Sequence, residues 1–155
     1  MTFPTKQKGV AAVEFAILVP LMMLMVFGIT EFGRAFYQYN TLTKSVRDGV
    51  RYLSTQAPGT GHGIAACLAV HGNQTCTGQV LVPGLSTSMV SICDAINCPG
   101  THSAVSTGSG VVNLATVTVT GFPFTSLVNF SLAGLTIGAP NMTFGPVSAT
   151  MRQEL

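Results

Sequence analysis

The chain has 155 residues, a net charge of +2 and a charged fraction of only 8%, well under the ~25% of ordinary soluble domains. So small a net charge offers no basic patch for nucleic acid. Nine of the charged residues lie at or before Arg51, and only Asp94, Arg152 and Glu154 follow. The last hundred or so residues are rich in Thr, Ser, Gly and Val, the composition of an exported β-rich domain. Asp94 and Glu154 are the only carboxylates after Asp48, too few for acid–base chemistry, and no Ser/His/Asp set is visible.

Lys6 and Lys8 precede a lone glycine, Gly9, and an apolar run follows. From Val10 to Ile29 every residue is apolar or small except Glu14. Twenty helical residues rising ~1.5 Å each span roughly 30 Å, the thickness of a bilayer's hydrocarbon core. A carboxylate in such a span costs on the order of 2.5–3.5 kcal/mol at the helix centre and less toward an interface. A secretory signal peptide fits poorly, because the run exceeds an ordinary h-region and no small-x-small cleavage site follows it. Pro20 lacks an N–H and its ring clashes with the preceding turn, which predicts a kinked or loosened helix over Ala16–Pro20.

These residues, with Val13-Glu14-Phe15-Ala16, Pro20, Glu31-Phe32-Gly33-Arg34 and Arg47-Asp48-Gly49-Val50-Arg51-Tyr52, resemble the TadE family. That family comprises minor pseudopilins of tight-adherence (Flp) pilus systems, with a type IV pilin-like processing site. The run Ala149–Glu154 resembles the family's C-terminus more loosely, and the middle of the chain is not covered. The resemblance implies cleavage by a prepilin peptidase between Gly9 and Val10, after a leader carrying Lys6 and Lys8. Glu14 then becomes the fifth mature residue, pairing with a neighbouring subunit's new N-terminus during assembly. The implied partners are that peptidase, other pilins and pseudopilins, the inner-membrane assembly platform and the lipid bilayer. The competing reading of Glu14 is an interfacial residue that snorkels to headgroups.

The helix is expected to continue past the apolar run. Phe32, Ala35, Tyr39, Leu42, Val46, Gly49 and Leu53 recur at spacings of three and four, widened by Phe36 and Val50, so one apolar face persists to about Ser54. Such a face covers the domain's own core, packs on other subunits, or does both along different turns. Ala57–Gly61 ends the helix. Gly63–His71 reads as a short helix, Val80–Val82 and Met89–Ile92 as short strands, and Thr101–Gly110 as a linker. Val111–Thr120 is the best strand, with Val117 and Val119 on one face and Thr116, Thr118 and Thr120 on the other. Phe122–Ile137 reads as a loop with a helical turn packed under the sheet. Val147, Ala149 and Met151 alternate with polar residues in a final strand, which is expected to pair antiparallel with the first.

Cys67, Cys76, Cys93 and Cys98 all follow the apolar run, and an even count in an exported domain favours disulfides. Of the three connectivities, neighbour pairing (Cys67–Cys76 and Cys93–Cys98) is the working choice, and free thiols in a reducing compartment are the alternative. His62, His71 and His102 with these cysteines raise zinc, but the cysteine spacings do not form a C-x₂-C pair, and neither metal nor cofactor is expected. Pro58–Gly63 looks like a phosphate loop only superficially, with no Lys-Ser/Thr after it, and reads as a hinge. The sequons at Asn73, Asn129 and Asn141 are no more than the frequency of Ser and Thr predicts.

The expected architecture is α+β and pilin-like, a long N-terminal helix on a small antiparallel sheet. Residues 1–9 form the leader, 10–30 the transmembrane helix, 31–55 its amphipathic extension and 56–155 an extracytoplasmic β-rich domain. The expected function is structural, in a bacterial inner membrane, with a cytoplasmic N-terminus and a periplasmic domain. The positive-inside count is ambiguous, since Arg34, Lys44 and Arg47 closely follow the run; the leader and the cysteines decide the orientation. The rival is a signal-anchored envelope protein, never processed, presenting a Thr-rich binding domain.

Overall fold

A computed structural model describes residues 8–127, 130–132, 135–137 and 142–154. Lys6 and the sequons' Asn129 and Asn141 therefore lie outside the described residues.

One helix, α1 (Lys8–Ser54), runs through the apolar segment and into the domain, with Pro20 inside it and helical assignment on both sides. Its first half touches almost nothing. From Gln38 onward one face is covered, and Leu42, Val46, Val50 and Leu53 are fully buried. Spacings of three and four put these four on one stripe, which is why that stripe faces the core. A second helix, α2 (His62–His71), lies between Gly61 and Gly72, both left-handed at φ 76 and 70. It crosses α1 at Gly49, where a Cβ would stand 3.0 Å from the Ala65 carbonyl oxygen and 3.6 Å from Ala69 Cβ. Glycine permits that approach; any side chain would push the helices apart.

The main sheet has four antiparallel strands: β1 (Val90–Cys93), β2 (Val105–Ser106), β3 (Val111–Val119) and β8 (Val147–Gln153). The long strand β3 is its centre, pairing with β1, β2 and β8. The register sets Val117 opposite both Ile92 and Ala149. Alternation then does the sorting. Ala115, Val117 and Val119 are buried against the helices, while Thr116 and Thr118 turn to the other face. A one-turn helix, α3 (Pro99–His102), joins β1 to β2. Between β3 and β8 lie two small ribbons. One pairs β4 (Pro123–Phe124) with β7 (Met142–Thr143), the other β5 (Phe130–Leu132) with β6 (Leu135–Ile137).

The α+β expectation holds: a long helix packs on a small antiparallel sheet. Four local expectations of secondary structure need correction. Thr101–Gly110 is not a plain linker: Thr101 and His102 belong to α3, and Val105–Ser106 is the strand β2. Val80–Val82 is not a strand; Leu81 donates its N–H to Val70 O at 2.8 Å, so this segment is tied to the end of α2 rather than to a sheet edge. Met89 closes a 3₁₀ turn (Thr87–Met89), and the strand begins one residue later, at Val90. In Phe122–Ile137 the described residues hold short strands and no helical turn, though Phe122 and Phe124 are buried as a segment packed on the core requires.

The end of α1 is closed by the far end of the chain. Gln153 Nε2 donates to the carbonyls of Leu53 (3.3 Å) and Gln56 (3.1 Å), and Glu154 N–H donates to Ser54 O at 2.9 Å. The last carbonyls of a helix have no partner within it; here Gln153 and Glu154 supply donors to two of them, Leu53 and Ser54, and Gln153 also to the Gln56 carbonyl just beyond.

Candidate functional site

Gly9, Val10 and Glu14 occupy the first turns of α1. Val10 is 59% exposed, and Glu14 is exposed with no hydrogen bond or ion pair to any described residue. From Gly9 to Ile29 only Val19 and Leu24 are even half-buried. A Cβ added at Gly9 would meet nothing within 4 Å. Nothing among the described residues requires glycine there, in contrast with Gly49, where the α2 backbone does. None of the described residues covers Gly9, pairs with Glu14 or hides the bare apolar surface between Val10 and Ile29.

At the other end of the apolar run, the sequence pattern gave no hint of what the structure builds. Glu31 and Arg34, one helical turn apart, form an ion pair at 2.9 Å. Together they grip the loop after β4. Glu31 Oε1 accepts the Leu127 N–H at 3.2 Å, and an Arg34 Nη2–H is donated to Thr125 O. The Arg34 guanidinium also lies 4.6 Å over the Phe124 ring, a favourable placement of a cation on an aromatic face. Below it Phe144 contacts Phe124, Phe122 and Tyr39 with ring centroids 5.6–5.9 Å apart. Desolvation alone would raise the Glu31 carboxyl. The hydrogen bonds from Arg34, Ser126 and Leu127 outweigh it and leave Glu31 below the usual range, and therefore charged. The charged residues of Glu31-Phe32-Gly33-Arg34 are thus the joint between the long helix and the sheet domain.

A second polar knot holds the domain's loops. Asp94 is fully buried at the turn after β1. Its carboxylate accepts N–H bonds from Gly59 (2.7 Å), Ile96 (2.9 Å) and Asn97 (3.0 Å), and meets His62 Nε2 at 2.6 Å. Burial pushes its pKa up. The backbone donors and His62 more than reverse this, holding it at about 2. Asn97 Nδ2 lies 3.3 Å from His62 Nδ1, so the imidazole is held at both nitrogens. Asp94 and His62 form a dyad, but among the described residues no hydroxyl or thiol nucleophile is hydrogen-bonded to the ring. The dyad pins the Pro58–Gly63 turn to the loop after β1. A segment that read as a hinge is a fastened corner.

The cysteines flank these loops. Cys67 is bonded to Cys76, tying α2 to the turn after it, and Cys93 to Cys98 across the Asp94 turn. Ligand atoms of Cys93, Cys98 and His102 lie within 4.8 Å of one another. The two sulfurs are joined to each other, so neither offers the thiolate a metal needs. The His102 ring nitrogens meet Thr101 Oγ1 (2.7 Å) and Thr116 Oγ1 (2.8 Å), and Thr116 in turn meets Thr150 Oγ1 at 2.7 Å. In the turn after α2, the Asn73 side chain accepts N–H bonds from Thr75 and Thr77. Its amide is engaged in holding that turn.

Comparison with curated proteins and with solved structures gave no match. Residues 9–51 match the family model described as TadE-like protein. The match begins at Gly9 and takes in Glu14, the Glu31–Arg34 joint and Gly49. Over the helix that carries those residues, the chain is similar to the TadE-like family.

Proposed function

We propose that this chain is a minor pseudopilin, a structural and assembly subunit of a tight-adherence (Flp, type IVc) pilus. It is held in the bacterial inner membrane with its N-terminus cytoplasmic and its domain periplasmic, and a prepilin peptidase cleaves it after Gly9. Its partners are that peptidase, the other pilins of the system and the assembly platform. The observation that carries this reading is a coincidence of position. The TadE-like match starts at Gly9, and the half of α1 that follows is apolar on every side and uncovered, with the unpaired Glu14 in it.

The chemistry is economical. Cleavage frees an α-amino group at Val10, one helical turn from Glu14. An ammonium or a carboxylate alone is costly in a low-dielectric setting, and opposite charges brought together compensate each other. A neighbouring subunit's amine therefore gives Glu14 a partner only on assembly. The test is mass measurement of the mature N-terminus, with surface pili scored alongside, in a strain lacking the native copy. Gly9→Leu should leave the leader attached; normal maturation of that variant would refute the processing step and leave a signal-anchored protein. Glu14→Gln and Glu14→Leu should be inserted and cut but fail to support pili, whereas Glu14→Asp should retain partial function. Wild-type pili from Glu14→Leu would remove charge pairing from the account.

A further inference from the structure

We infer that the loop after β4 is a membrane-contact element: Leu127, with Met142 and Phe32, rests in the headgroup boundary of the bilayer that α1 crosses, held there by Glu31 and Arg34. The inference rests on reading the Val10–Ile29 half of α1 as a membrane span.

The argument is one of level. The apolar run ends at Ile29, and Glu31 stands two residues on, ~3 Å further along the helix axis at 1.5 Å per residue. The Leu127 backbone is hydrogen-bonded to Glu31 Oε1. The loop is therefore fastened to α1 within a turn of the point where the hydrocarbon core must end. At that level the side chains are of the wrong kind for water. Leu127 is 77% exposed and Phe32 75%, and Met142, opposite Phe124 in the β4–β7 ribbon, is 54% exposed. Phe36 and Tyr37, one turn further on, are also exposed, and aromatic residues favour the membrane–water interface.

Burial elsewhere in the domain shows that its apolar residues are hidden when its own core can reach them. Phe122 and Phe124, five and three residues before Leu127, are 1% and 4% exposed. Ile96 and Val111 are exposed too, at 65 and 63%, but Leu127 is the exposed apolar residue of the domain that is fastened beside the end of the apolar run, through Glu31. The clamp suits that boundary. Glu31 and Arg34 neutralise each other and each also makes a hydrogen bond to the loop, so no lone charge is carried to the edge of the hydrocarbon. A bilayer is the covering surface continuous with the one that covers residues 10–29. A second copy of the chain, or another protein, is the alternative that the experiment excludes.

The full chain is reconstituted at low density into phosphatidylcholine–phosphatidylglycerol vesicles. The native cysteines are all paired, so single thiols at Leu127→Cys, Ser148→Cys and Met22→Cys take an environment-sensitive fluorophore selectively. Quenching is compared between lipids spin-labelled near the headgroup and near mid-chain. The label at 127 should be blue-shifted and quenched more by the headgroup-proximal lipid. The label at 22 should be quenched more by the mid-chain lipid, and the one at 148 by neither. An unquenched label at 22 sinks the membrane-span reading itself. A label at 22 quenched from mid-chain beside a label at 127 that behaves like 148 overturns this inference alone. Shielding at 127 that is not matched by lipid quenching, or that fades as the vesicle density of protein falls, assigns the surface to protein and also overturns it. Adding Glu31→Gln to the Leu127→Cys chain should reduce quenching at 127 several-fold without changing that at 22; unchanged quenching would remove the clamp from the proposal.

Discussion

Between Val10 and Ile29, α1 presents apolar side chains on every side, and Leu18, Met22 and Ile29 are 53, 62 and 74% exposed. Between Leu42 and Leu53 the same helix, no more apolar, hides Leu42, Val46, Val50 and Leu53 completely. What differs is the arrangement around the axis. A stripe can be covered by one sheet and one crossing helix, so the second half finds its partners in its own chain. A full apolar cylinder cannot be covered from one side, so the first half depends on what lies around the molecule.

The sharpest way to break that comparison is to make the same cut in both halves. Leu42→Ala should lower the stability of the domain by about 3–4 kcal/mol through lost burial and the cavity left behind, read as the denaturation midpoint of the full chain in detergent. Leu18→Ala removes the same atoms and should move that midpoint by no more than ~0.5 kcal/mol. Comparable losses from the two would mean that the halves are not independent.

A somewhat smaller effect is expected where the domain is fastened by charge rather than by packing. Asp94→Ala strands three backbone N–H groups and His62 and should cost about 2–3 kcal/mol. The pH dependence carries a definite sign. The Asp94 carboxyl is held at about 2 in the folded protein, against an ordinary 3.8. Its contribution is complete above about pH 4 and is lost as the pH falls toward 2. The wild-type unfolding midpoint should therefore drop more steeply over that range than that of Asp94→Asn; parallel curves would show that the carboxylate is not the group responsible.

The smallest effect sits at the joint between the halves. Arg34→Ala removes the ion pair, the bond to Thr125 O and the contact with Phe124. All are partly solvated, so about 1 kcal/mol is expected. Increased proteolysis between Phe124 and Leu127, with the core still protected, would place the loss at the loop. Global loss of protection would instead make the joint part of the core.

Legibility in the sequence followed the range of the interactions. The two regimes of α1 show in spacing alone, as do β3 and β8, because alternation is a local signal. Val80–Val82 has the look of a strand, but its backbone partner is Val70 at the end of α2, a fact of tertiary packing that no three-residue pattern encodes. Glu31 and Leu127 are 96 residues apart, and His62 and Asp94 are 32 apart. Taken singly, Glu31, His62 and Asp94 are only isolated polar residues, and Leu127 takes part through its backbone N–H. Asp94 in particular reads as one carboxylate too few for catalysis, and only the fold reveals that it organises two loops. The residues from Gly9 to Glu14 were conspicuous for the opposite reason, since they break the apolar and charge patterns around them without any internal partner.

Gln153 and Glu154 close the end of α1, across a sequence separation of 100 residues for Gln153 and Leu53. That contact imposes an order on biogenesis. On the proposed reading, the Val10–Ile29 half of α1 is ready to insert while the sheet is still being synthesised. The apolar stripe from Leu42 to Leu53 must then wait for β8, the strand beside β3 at the centre of the sheet, whose Gln153 lies 100 residues after Leu53. Contacts this distant in sequence form late and slowly. The exposed stripe is sticky in the interval. On the proposed membrane reading, anchoring before folding keeps that stripe at a bilayer surface during the wait, and the domain becomes self-contained only when β8 joins the sheet.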